Sequence, residues 1–175
     1  RLWPNRLPKS NPRHALRAKL DTRGCRQHFV PMTRIEFHFN TSERLLHTCR
    51  LLRKARAQDL RIAVVGASAT LKQLDAELWR FQDVSFLAHC TEQDPPEVKR
   101  ASPVALGPDP HAWGIDEVLL NLGDEVPEGF DRFGRLIEIV SNDDHGRAQA
   151  RVRWKHYKSL GYELLQHDLS KATNS

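Results

Sequence analysis

Four cations recur at helical spacing near the C-terminal end of the sequence: Arg147, Arg151, Lys155 and Lys158. At ~100° per residue they fall within roughly 80° of one another on a helix. Ala150, Trp154 and Tyr157 sit beside that stripe. A guanidinium grips a carboxylate bidentately, an ammonium adds a point charge, and an aromatic face packs on apolar groups. The combination suits a ligand that is both anionic and apolar. Exposed aromatics gain little without a ligand, which sets this stripe apart from a merely solvated basic face.

The element that must present the stripe is a helix over residues 141–161. Ser141, Asn142 and Asp143 offer capping oxygens, and Asp143 and Asp144 put negative charge at the positive end of the helix dipole. Lys158 lies in the last turn, and Gly161 can take the left-handed conformation that ends a helix. Upstream, Ile35, Phe37 and Phe39 alternate with Glu36 and His38, a strand of period two. Thr41 or Ser42 is expected to cap a helix to about residue 57, with Leu45, Leu46, Cys49 and Leu52 buried. Residues 61–65, RIAVV, read as a buried strand of the parallel kind. A turn at 66–68 leads to a helix at 69–81 carrying Leu71, Leu74, Leu78 and Trp79. Further strands are expected at 85–90, 103–106, 117–122, 135–140 and 162–165, with a loop at 91–101 around Pro95 and Pro96 and a turn at 126–129. Strands alternating with helices predict an α/β fold: a mostly parallel sheet flanked by helices.

The 175 residues suit one domain, and 39% hydrophobic with 28% charged residues is a globular composition. No apolar run approaches the ~20 residues that span a bilayer, and the first residues lack the apolar stretch of a signal peptide. Cys25, Cys49 and Cys90 form no CxxC pair, so reduced thiols in a cytoplasm are expected. The net charge of +5 is unevenly placed. Residues 1–31 hold eight Arg and Lys against one Asp, a net of +7, which leaves −2 on residues 32–175. A high pI is therefore weak support for nucleic-acid binding by the folded part. Residues 1–31 lack an apolar period and are broken by Pro4, Pro8, Pro12 and Pro31. They read as a non-native or disordered basic extension, with Met32, the sole methionine, as the expected start. A domain is expected over 32–168, with a frayed polar tail at 169–175.

The sequence offers little for catalysis. Gly66 stands in a strand–helix turn, but neither GxGxxG nor GxxxxGK[ST] surrounds it, and a tight structural turn is the expected reading. None of the nine histidines forms HExxH or pairs with cysteine at finger spacing. His38 and His47 read as surface residues, and no metal or cofactor is expected. There is no GxSxG elbow, and Cys49 falls on an apolar helix face. Trp79 and Phe86 flank the junction of a helix and the next strand, where they are either core or anchors for a partner.

Several segments together resemble one family, the chi subunit of bacterial DNA polymerase III holoenzyme. They are TRIEFHFN (33–40), CRLLRKA (49–55), LDAELWRFQDVSFLAHC (74–90), ASPVALG (101–107), VLLNLGDEVPEGFDRFGRLIEIVSND (118–143) and ARVRWKHYKSLGYEL (150–164). The resemblance implies a small Rossmann-like α/β protein without a catalytic site, cytoplasmic and associated with the replisome. It implies an adaptor that pairs with the psi subunit of the clamp loader and binds the acidic C-terminal tail of single-stranded DNA-binding protein, with DNA contacted mainly indirectly. That tail ends in aspartates, Ile-Pro-Phe and a free carboxylate. The family's tail-binding Arg, aromatic and Lys fall on Arg151, Trp154 and Lys155, within a stripe that adds Arg147 and Tyr157. Trp154 departs from the more usual Tyr, and stacking is expected to survive the exchange. The psi-facing aromatics fall on Trp79 and Phe86. The rivals are a direct single-stranded nucleic-acid-binding module using the basic helix and a nucleotide-using enzyme built on the Gly66 turn.

Overall fold

The computed structural model describes residues 33–80 and 87–170. Among these residues seven strands pair into one sheet: β1 (Arg34–Phe39), β2 (Ile62–Val65), β3 (His89–Thr91), β4 (Val104–Leu106), β5 (Val118–Asn121), β6 (Arg135–Ile139) and β7 (Leu164–Asp168). Their order is β3-β4-β2-β5-β6-β1-β7, and every pairing is parallel. The reason is visible in the chain. IAVV, VAL and VLLN are unbroken short apolar runs, and every residue in them is buried. Strands covered on both faces need crossover helices, and crossovers make parallel pairs.

Four helices among the described residues supply that cover: α1 (Arg44–Arg56), α2 (Ser68–Arg80), α3 (Pro96–Ala101) and α4 (Asp144–Ser159). One apolar layer joins α1 and α2 to the sheet through Cys49, Leu52, Leu74, Val64, Leu120 and Ile139. On the opposite face α4 closes a second layer with Ile35, Phe37, Leu119, Leu136, Ala150 and Tyr157. Along β1 the alternation sends Ile35 and Phe37 to the α4 side and Glu36 and His38 to the α1 side.

The structure corrects several expectations. Residues 96–101 form α3 rather than loop, because Pro96 sits in the first turn, where a missing N–H costs nothing. Neither Thr41 nor Ser42 caps α1; Glu43 occupies the cap position without a side-chain bond. Arg44 instead donates to the carbonyls of Ile139 and Leu122 (3.0 and 2.6 Å), tying the helix start to strand ends. The buried face of α1 includes His47, Thr48 and Leu51, and Leu46 is only half-buried. His38 and His47 are buried, not on the surface. Gly66 has a steric reason: a Cβ there would lie 3.1 Å from Leu122 Cβ, where two strand ends converge.

Candidate functional site

The helix carrying the basic stripe begins where its caps predict. Asp143 Oδ1 accepts from the Gly146 amide at 2.7 Å, satisfying one orphan donor of the first turn. The bonds from Ser141 and Gly146 hold the exposed Asp143 carboxyl at about 2. Only glycine fits at 146, since a Cβ would come within 2.6 Å of Ser141 Cβ. This close approach seats the start of α4 tightly over the end of β6. At the other end Gly161 takes φ +87° directly after the C-cap Leu160.

Between α4 and the C-terminal ends of β1 and β6 lies a cavity of about 530 Å³. Phe37, Phe39, Val140, Ala150 and Trp154 give it apolar walls, and Arg147 and Arg151 stand over it. Trp154 is half-buried and held edge-on against Phe37, with ring centroids 4.9 Å apart. The polar lip comes from Asn40, Ser141, Asn142 and Gln166. Asn40 adopts φ +60°, and its amide donates to Asp168 at 3.0 Å, so the end of β1 is tied to β7. Two guanidinium groups beside an aromatic-walled hollow can take an anionic group and an apolar one together.

Not every residue of the predicted stripe joins this site. Arg147, Arg151 and Lys155 are exposed, with Lys155 one turn beyond the cavity wall. Tyr157 is a correction: it is fully buried, and its hydroxyl donates to Glu138 at 2.7 Å. Burial and the Glu138 carboxylate push the Tyr157 phenol upward, so it stays a donor. Arg153, which falls outside the predicted stripe, points inward to the same carboxylate, Nε to Oε2 at 3.0 Å. Asn121 completes the set with bonds to both Glu138 oxygens. Burial pushes the Glu138 carboxyl upward, while Arg153, Tyr157 and Asn121 all favour its ionised form. This network bolts α4 to the sheet under the exposed cations.

Trp79 is 64% exposed, which overturns the core reading of this residue. Its ring lies 5.2 Å from that of His89, which bonds to Asp75 and the Leu87 carbonyl. Phe86 lies outside the described residues. The cavity beside Gly66 is lined by Asp109, Asp124, Glu125 and Glu128 and by no Lys or Arg. Four carboxylates repel phosphate, so the nucleotide reading of that turn has no electrostatic support.

Residues 32–165 match the family described as DNA polymerase III chi subunit, HolC. The chain belongs to the chi-subunit family of DNA polymerase III. It is 32% identical over 145 residues to the DNA polymerase III subunit chi of Pseudomonas aeruginosa, covering 80% of this chain and 99% of that one. The chi family is therefore the frame for the α4 cavity, and DNA replication is its setting. The C-terminal domain of the DEAD-box protein Dbp5 shares the fold at a TM-score of 0.50 and 12% identity, covering 82% of this chain and 93% of that one. No helix among the described residues is long and apolar enough to cross a membrane.

Proposed function

We propose that this chi-family chain is a non-catalytic adaptor within the DNA polymerase III complex, and that its α4 cavity receives the acidic C-terminal tail of single-stranded DNA-binding protein. The observation that carries this reading is the pairing of an aromatic-walled hollow with Arg147 and Arg151 at its rim. The tail's terminal phenylalanine fits against Phe37, Ala150 and Trp154. Its carboxylate and aspartates meet Arg147, Arg151 and, further along α4, Lys155. One such contact is modest and falls with salt, and many tails displayed on one DNA-bound tetramer raise its effective strength.

On the far side of the molecule, the exposed indole of Trp79 supports a second contact. It belongs to the face toward the psi subunit and so toward the clamp loader, the contact to which the family resemblance also assigns Phe86. An exposed tryptophan costs little to order and suits a partner anchor. Placing the two contacts on different helices lets one chain hold both partners.

A fluorescence titration of Trp154 with a tail peptide tests the first contact. Saturable binding that weakens with salt and is lost when the terminal phenylalanine is removed is the expected result. Binding indifferent to that phenylalanine would overturn the assignment. Tight binding of bare single-stranded DNA by residues 32–175 would favour the nucleic-acid module instead.

A further inference from the structure

On the α1 side of the sheet, the strands near the β7 edge carry polar groups where the centre carries aliphatic ones. Glu36 and His38 share this face of β1, and the register sets His38 beside His167 of β7. Glu36 Oε2 lies 3.3 Å from His167 Nε2 and 3.8 Å from His38 Nε2. One ligand atom from each of the three residues falls within 4.8 Å of the others. The Glu36 and His38 side chains are 1% exposed, yet neither imidazole Nε2 has a hydrogen-bond partner. Arg135 and Arg34 already pair with the Glu36 carboxylate, so the atoms left without a hydrogen bond are the two imidazole nitrogens that converge on it, and a buried polar atom of this kind is costly unless something binds it.

The far nitrogen of His38 is already engaged: Nδ1 lies 3.0 Å from His47 Nε2. In the tautomer with its proton on Nδ1, His47 accepts the His38 Nδ1–H at Nε2. That bond leaves the His38 Nε2 lone pair aimed at Glu36 and His167. A second-sphere acceptor of this kind fixes the tautomer of a metal-ligating histidine.

The geometry points to a site for one divalent transition-metal cation of the zinc class, held by Glu36 Oε2, His38 Nε2 and His167 Nε2. Two ligands ~2.0–2.1 Å from a tetrahedral ion stand about 3.4 Å apart, against 3.3 and 3.8 Å for the two pairs that include Glu36. Two imidazoles and one carboxylate select Zn²⁺, Co²⁺ or Ni²⁺ over Mg²⁺ or Ca²⁺. Three protein ligands leave a position for water, and His167, a quarter exposed on the edge strand, gives the way in. Arg135 and Arg34 contact the same carboxylate and oppose a second cation. Their charge repels the ion and holds the affinity below that of a closed structural zinc site.

The test uses the full chain stripped with chelator. Titration with Zn²⁺ by calorimetry, and with Co²⁺ by visible absorption, should give one ion per chain and a d–d spectrum of a mixed nitrogen–oxygen site. His38→Gln and His167→Gln should each weaken binding at least ~tenfold, while His156→Gln, on the exposed face of α4, should not. Circular dichroism establishes folding of each variant. If His38→Gln does not fold, His167→Gln on the edge strand decides. No binding at about 100 μM metal, or parental binding by a folded His167→Gln, overturns the site.

Discussion

Arg151 and Arg153 are two residues apart on α4 and do opposite things. Arg151 is exposed at the rim of the cavity. Arg153 is 3% exposed, with its Nε 3.0 Å from Glu138 Oε2 and its Nη1 donating to the Asp124 carbonyl. One faces the cavity and the other holds the helix that lines it.

The two arginines should therefore separate cleanly in mutation. Arg153→Met strands a buried carboxylate and is expected to cost ~3–5 kcal/mol, read as a lower denaturant midpoint. Pairing it with Glu138→Gln should recover part of that loss, because no unpaired charge then remains buried. Arg151→Ala should change stability by less than ~0.5 kcal/mol and act on binding alone.

Tail binding should respond to charge and packing in different ways. Reversing charge at Arg151 or Lys155 removes an attraction and adds repulsion, so peptide affinity should fall by ~tenfold or more. Trp154→Ala should cost a similar amount through lost packing, with less dependence on salt. Tyr157→Phe should leave affinity unchanged and lower stability, because its hydroxyl serves Glu138 and not the cavity. Titrations of folded variants at two salt concentrations check all three.

Trp79→Ala combined with Phe86→Ala should abolish psi binding and leave tail binding intact. Trp79 is mostly exposed, so Trp79→Ala by itself should keep the melting temperature within a few degrees of the parent. A pull-down with psi, run beside a melting curve, reads both.

Stability should fall in mild acid through His47. In the unfolded chain this histidine titrates near 6.5, and in the folded chain at about 4. Between those values the unfolded chain binds more protons, so the contribution is complete above pH 6.5 and drains as pH falls toward 4. The slope is at most ~1.4 kcal/mol per pH unit. Glu36 extends the loss. Burial alone would raise it, but His38, Arg135 and Arg34 hold its carboxyl at about 2, against 4.5 unperturbed. Its stabilisation therefore disappears between pH 4.5 and 2. His47→Gln should flatten the upper window and leave the lower one, measured by denaturation of chelator-treated protein.

A chain beginning at Met32 should match the full chain in melting temperature and in tail affinity. The family match covers 32–165, and the excess positive charge lies before it. A loss of several degrees would show that residues 1–31 contribute to the fold.

Local chemistry was enough to read most elements. An unbroken apolar run identified β2 as a buried strand of the parallel kind, β4 and β5 were read as strands, and Asp143 with Gly161 marked both ends of α4. The family and the basic stripe were legible for the same reason: they are patterns along the chain. Tertiary structure decided what faces what. On α4, Gly146, Ala150, Arg153 and Tyr157 fall within one ~60° arc that the sheet covers, and Trp154 stands ~40° beyond it at the boundary. Spacing alone could not tell which of two aromatics three residues apart would be covered, nor that Arg153 would be. That depended on Glu138, fifteen residues earlier, emerging from the sheet beneath the helix. The same holds for Glu36 and His38. Alternation marked them as the polar face of a strand, which in a one-sided sheet is the wet face. Here β1 lies between β6 and β7 with helices on both sides, so its polar face is buried too, and only the register of β7 brings His167 to meet it.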